Sequence, residues 1–208
     1  MIETMTIGSG YTKDLLAGKK TKAHAKLMQK FVSGEFPNWN AYNSPIDALR
    51  TGAILEDRYL LILPENYYPQ YKATCKEMNV LNCRIDFGLV EKGEIIDFDE
   101  LKTCNFNDYM AFEELIIEGA DLLAYVKKHY KDNYNQVQEQ LLCSGLASAN
   151  IVFLAVYSYD DEVNYKRDIQ ENEYIKIRVP RDESIISKIK ERAEIFQTIK
   201  DYYSLTIK

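Results

Sequence analysis

At 208 residues, 46% of them apolar and only five of them proline, the chain is long enough for a single domain with a mixed sheet and flanking helices, and its composition excludes a disordered polymer. No apolar run approaches the ~20 residues of a membrane span, and Met1-Ile2-Glu3-Thr4 opens without the basic and apolar regions of a secretory signal, so a cytoplasmic protein is expected. The net charge of −6 weighs against a nucleic-acid partner only on average, because residues 1–50 hold seven Lys/Arg against four Asp/Glu.

Thr6 to Gly10 reads as a turn containing Ser9, ahead of a helical segment over 13–31. Lys19, Lys20, Lys22, Lys26 and Lys30 fall in an acid-free stretch of that segment, which suits either a phosphate-binding face or an ordinary solvated one. A loop over 34–43 with Pro37 and Trp39 follows. Ser44-Pro45-Ile46-Asp47 is a helix start, with Ser as cap and Pro at the first position; this helix should run to about Leu61 and carries Glu56. Residues 71–78, 81–90 and 95–104 read as three meandering strands. A helical pattern over 107–130 breaks near Gly119, and a further helix spans 133–144. The apolar run Ile151 to Tyr157 predicts a buried strand, 173–179 alternates like another, and 183–203 closes the chain as a helix. The order defines an α/β architecture with a central mixed sheet flanked by helices.

Cys75, Cys83, Cys104 and Cys143 have no C-x-x-C spacing, which predicts reduced, buried thiols and no zinc or iron–sulfur site. His24 and His129 show no ligand spacing and receive no role.

The most informative segment is Ile85-Asp86-Phe87-Gly88-Leu89 followed by Asp97-Phe98-Asp99-Glu100-Leu101-Lys102. Residues two apart on a strand share a face, so Glu100 and Lys102 project together. A reversal at Lys92-Gly93 brings Asp86 across from Asp99 if the loop has two residues, or from Glu100 if one extra residue enters. In the second register two carboxylates and an ammonium converge, a donor set suited to an oxygen-bound divalent cation beside a group that orients water or steadies a phosphate. Asp97 and Asp99 form a competing same-face pair. Gln136 is accompanied by Gln138 and Gln140, which is also what polar helix surface looks like.

These segments together resemble the PD-(D/E)xK nuclease superfamily, more closely its lambda-type exonuclease branch of YqaJ-like viral recombinases. Gly52-Ala53-Ile54-Leu55-Glu56 is similar to that family's G-x-x-x-E helix. Asp86-Phe87-Gly88-Leu89 is similar to its D-G-L strand with a phenylalanine inserted. Glu100-Leu101-Lys102-Thr103-Cys104 matches its E-L-K-C strand, and Gln136-Val137-Gln138 its Q-V-Q helix. The resemblance covers most of the chain and implies a restriction-endonuclease-like fold. It further implies Asp86, Glu100 and the Leu101 carbonyl as ligands of Mg²⁺, with Mn²⁺ able to substitute, and Glu56 as ligand of a second ion or of an outer water. Lys102 would orient the attacking water, Gln136 would brace the set, and Ser9 would bind phosphate; Lys19, Lys20 and Lys22 are candidate DNA contacts from the charge run alone. Two parts of the family's pattern are unmatched: the aromatic and basic segment ahead of Ser9, and an arginine after the E-L-K-C strand, where the chain reads Asn105-Phe106-Asn107-Asp108.

The expected function is therefore Mg²⁺-dependent exonuclease action, 5′ to 3′, on ends of linear double-stranded DNA. The resemblance also implies a ring-shaped trimer and a single-strand annealing partner in phage-type recombination. A restriction-like or structure-specific endonuclease with the same site, or an inactive DNA-binding module, are the alternative readings.

Overall fold

A computed structural model describes residues 5–36, 47–157 and 168–206, excepting the side chains of 47–49 and 206. The expectations for Pro37, Trp39 and the Ser44-Pro45 cap lie outside these residues. Strand β3 (Leu81–Glu91) organises the sheet. Along one edge it pairs with β2 (Tyr67–Thr74), antiparallel, from Thr74–Asn82 to Tyr67–Leu89. Its other edge is shared: β1 (Ile7–Gly8) runs parallel beside Leu81 and Asn82, while β4 (Glu94–Asn105) runs antiparallel beside 87–91. The sheet continues through β5 (Ser148–Val156), parallel to β4, and β6 (Tyr174–Pro180), antiparallel to β5. It is a six-stranded mixed sheet.

The strand side chains divide between two apolar layers, by alternation on β4 and β5 but not on β3, where Ile85 and Phe87, two residues apart, join different layers. Ile85, Phe98, Ile151 and Phe153 join the larger core, with residues of α1 (Thr12–Leu16), α2 (Lys22–Ser33), α4 (Phe106–Ile117), α5 (Leu122–His129), α6 (Lys131–Ser144) and α7 (Glu183–Thr206). Phe87, Leu101, Val152 and Leu154 face the opposite layer, where α3 (Asp47–Leu60) supplies Leu55 and Tyr59. β5 is thus covered on both faces, which is why it is a continuous apolar run. The four cysteines are free and buried, and among the described residues no helix is long and apolar enough to cross a membrane.

Three local expectations are corrected. The helical segment over 13–31 is two helices, interrupted at 17–21, where Thr21 caps α2 by accepting the His24 N–H at 3.2 Å; Gly18 and a capping threonine outweigh the helical pattern. The Thr6–Gly10 turn contains the short strand β1, and the strand expected over 71–78 lies at Tyr67–Thr74. The break expected near Gly119 in the 107–130 helical pattern is present and separates α4 from α5, with Gly119 at φ +68°.

The hairpin has a two-residue turn, with Lys92 and Gly93 at φ +52° and +84° and Glu91 paired with Glu94. The extra residue enters the strand instead of the loop. Val90 pairs with Ile95 but Leu89 with Asp97, leaving Ile96 as a bulge. That one-residue shift sets Asp99 opposite Phe87 and brings Asp86 level with Glu100.

Candidate active site

The site lies where β3 and β4 part. Their pairing ends at Phe87–Asp99, and between that rung and the β1 contact at Asn82 the edge of β3 has no strand partner. Backbone groups stranded there must find other partners. Asp86 Oδ2 accepts the Leu101 N–H at 2.9 Å, and Gln140 Nε2 donates to the Arg84 carbonyl at 3.1 Å. Two polar side chains thus replace missing ladder bonds.

Glu100 is the centre of the constellation. It is 1% exposed, and its two oxygens divide the neighbouring donors. Oε1 accepts from Lys102 Nζ and from Gln136 Nε2, both at 2.6 Å, while Oε2 accepts from Gln140 Nε2 at 2.6 Å. Gln136 and Gln140 stand one turn apart on α6 and so present adjacent amides to one carboxylate. Burial, then the nearby Glu100 and Glu56 charges, push the Asp86 carboxyl well above its ordinary range, against the opposing pull of Lys102 and the Leu101 N–H. Burial and Glu100 likewise push Glu56 up to about 7, with Lys102 opposing. Burial works to lower the Lys102 ammonium, but Glu100 and Asp86 outweigh it and hold the pKa above the usual lysine value. Lys102 is accordingly a cation and a hydrogen-bond donor here, with no free pair to act as a base.

Glu56 is steadied by Gln70, which donates to its Oε2 at 3.3 Å. Gln70 belongs to β2, between the rungs that pair Pro69 with Phe87 and Tyr71 with Ile85, and its φ is +53°. A non-glycine residue in that region is strained, and such strain concentrates at functional sites. Nothing in the sequence around Gln70 signals this conformation.

A cavity of about 590 Å³ opens beside the cleft and includes Ser9, Asn82, Asp86 and Gln136 in its wall. Lys72 and Arg84 also line it, and they are direct cross-strand partners. Two cations facing each other across a sheet repel, and neither side chain has a hydrogen-bond or ion-pair partner among the described residues. Such a wall suits an anion.

The fold therefore brings Asp86, Glu100, Lys102, Gln136 and Glu56 together, with Leu101 tied to Asp86 through its N–H and Ser9 on the adjoining cavity. Lys19, Lys20 and Lys22 stand exposed at the α1–α2 turn and the first residue of α2, outside the cavity lining. Asp97 and Asp99 serve another cluster. Arg178 Nη1 donates to both Asp97 oxygens at 2.7 Å, and the fully buried Asp99 is held by Tyr59 Oη, Asn150 Nδ2 and Lys176 Nζ. Gln138 and Gln140 are not helix surface: both are fully buried. Gln138 donates to the Pro180 carbonyl and accepts the Asp182 N–H, tying α6 to the turn before α7.

Among the described residues no three His, Cys, Asp or Glu side chains form a metal-holding group. The donors available are the Asp86 and Glu100 carboxylates and the Leu101 carbonyl, with Glu56 coupled to them electrostatically. That set fits Mg²⁺, which is commonly bound through one or two carboxylates and keeps waters and substrate phosphates for its remaining positions. The mutual repulsion that raises Asp86 and Glu56 is what a divalent cation would relieve.

The class defined by this arrangement is a restriction-endonuclease-like fold: a six-stranded mixed sheet flanked by helices, with acids and a lysine in the fork between two central strands. More particularly, the chain has the fold of solved exonucleases. It is similar to the alkaline exonuclease LHK-Exo from Laribacter hongkongensis, with a TM-score of 0.62 at 16% identity over 97% of this chain and 90% of that one. The same enzyme in complex with dAMP gives 0.61 at 17% identity, covering the same shares. A phage-related exonuclease from Haemophilus somnus gives 0.53 at 17% identity over 98% of this chain and 96% of that one. No protein-family model and no curated protein matches the sequence.

Proposed function

We propose that the protein is a Mg²⁺-dependent DNA exonuclease of the PD-(D/E)xK type, acting 5′ to 3′ from ends of linear duplex DNA. The observation that carries this reading is the convergence of Asp86, Glu100 and Glu56 on one charged lysine in the fork between β3 and β4. The likeness in fold to two exonucleases supports it.

Asp86, Glu100 and the Leu101 carbonyl would hold the ion, with Glu56 binding a second ion or an outer water. Mg²⁺ supplies acidification of a water and shielding of charge developing on the phosphate. Lys102, kept protonated by Glu100 and Asp86, donates hydrogen bonds to the attacking water and the phosphate oxygens. Gln136 fixes the Glu100 rotamer without competing for the cation, because a neutral amide donates and carries no charge. Lys72, Arg84 and the Ser9 hydroxyl receive a phosphate of the bound strand in the cavity beside Asp86. Lys19, Lys20 and Lys22 meet more distant phosphates.

End-labelled linear duplex and a covalently closed circle, incubated with Mg²⁺ or with EDTA, test the reading. Metal-dependent release of nucleotides from the linear DNA alone is expected. Cutting of the circle would assign an endonuclease, and no digestion with Mg²⁺ or Mn²⁺ would leave a DNA-binding module.

A further inference from the structure

We infer that Gln140 is a positioning residue that sets the spacing of the proposed metal-binding acids and aims Glu100 Oε2; this rests on the nuclease reading. Three observations meet at this side chain. First, it is fully buried and spans the fork: one amide group donates to the Arg84 carbonyl on β3 at 3.1 Å and to Glu100 Oε2 on β4 at 2.6 Å. An NH₂ group has two hydrogens, so both are spent holding two strands at the distance where their own pairing has ceased. Asp86 lies two residues beyond Arg84 on the same strand. The separation of Asp86 from Glu100 is therefore set in part by the length of this one amide.

Second, the Gln140 Oε1 atom is buried with no partner. Turning the amide over would satisfy nothing, because it would aim that oxygen at the Arg84 carbonyl and the Glu100 carboxylate. The side chain is thus locked in one orientation and leaves an acceptor unsatisfied, which is uncommon for a buried group. Third, the count of acceptor sites on Glu100 is uneven. Oε1 already takes two donors, Lys102 and Gln136, whereas Oε2 takes only Gln140. Each carboxylate oxygen offers two lone-pair sites, so Oε2 is the atom with one left for a cation. Gln140 fixes its direction.

Gln138 supplies the control, since it is equally buried on the same helix but bonds only Pro180 and Asp182. A merely structural glutamine would behave alike at either position. The experiment measures the Mg²⁺ concentration for half-maximal digestion of linear duplex, together with Mn²⁺ binding and Tm, for wild type, Gln140→Met, Gln140→Asn and Gln138→Met. Because a partly unfolded population would itself weaken apparent binding, each variant is assayed well below its own Tm, where it is fully folded. Both Gln140 variants are expected to raise half-saturation about tenfold to a hundredfold and to weaken Mn²⁺ binding in parallel; Gln138→Met should lower Tm and leave half-saturation unmoved. Gln140 variants that saturate within twofold of wild type while Tm falls would overturn the inference alone. A wild type that neither digests DNA nor binds Mn²⁺ would overturn the nuclease reading with it.

Discussion

Asp86 Oδ2 and the Leu101 N–H meet at 2.9 Å across the gap where β3 leaves β4. The bond fastens one acid to the strand that carries the other, beside Glu100 on the chain. It requires only an acceptor on Asp86, whereas the charge on Asp86 is opposed by burial, Glu100 and Glu56.

The two roles separate in Asp86→Asn. An asparagine oxygen can keep the Leu101 bond while the charge is lost. Metal-free Asp86→Asn should melt at least as high as wild type, by about 2–4 °C for each kcal/mol of repulsion relieved, yet turn over about a thousandfold more slowly. Calorimetry beside a digestion assay checks both signs. A lower Tm would show that the charge stabilises the fork.

Glu139 gives a pH prediction. Thr12 Oγ1 lies 2.6 Å from both the Ser9 carbonyl and Glu139 Oε2. One hydroxyl hydrogen is shared between these two acceptors, so the buried Glu139 carboxyl is short of donors, its Oε1 having no partner at all. Burial pushes its pKa up to about 8, against 4.5 for an unperturbed glutamate, with the Thr12 bond opposing. The folded state therefore holds a proton that the unfolded state releases between those values. This contribution is complete below pH ~4.5 and is lost as pH rises toward 8, by about 1.4 kcal/mol per unit. Urea unfolding from pH 5 to 8 should show at least that slope in wild type, where the raised Glu56 and Asp86 carboxyls add to it, and a shallower one in Glu139→Gln. Parallel profiles would mean that Glu139 is not a buried acid.

The cross-strand cations make a prediction with two opposite signs. Arg84→Gln or Lys72→Gln should flatten the salt dependence of DNA binding by about one unit of log–log slope for each phosphate no longer neutralised. Lys72→Gln should also leave stability unchanged or slightly raised, because like charges no longer face each other, whereas Arg84→Gln also gives up the attraction of Arg84 for Glu56. Fluorescence anisotropy over a salt series, without metal, measures the slope. Slopes equal to wild type would remove the cavity from the DNA path.

The positions of these residues were unequally legible. Glu100 and Lys102 share a face by the period of two, and the register that levels Asp86 with Glu100 needs only one extra residue. Alternation could not say where that residue enters, because a bulge at Ile96 and a longer turn leave the same count. Gln140 was indistinguishable from helix surface, since three glutamines at alternate positions define no polar stripe. Its burial comes from α6 packing against β3, β5, α1 and α7 at once. Lys72 and Arg84 were hidden by a strand boundary placed four residues late. Glu139 gave no signal, because an acid made neutral by tertiary burial reads like any other.

Single-turnover digestion by Glu100→Gln tests the central claim most directly. Glutamine keeps the size of Glu100 but removes the charge on which Lys102, Gln136 and Gln140 converge. With saturating Mg²⁺ the rate on linear duplex should fall by about a thousandfold or more, while DNA binding in EDTA persists. A loss of only twofold, with binding intact, would place the chemistry somewhere other than the fork between β3 and β4.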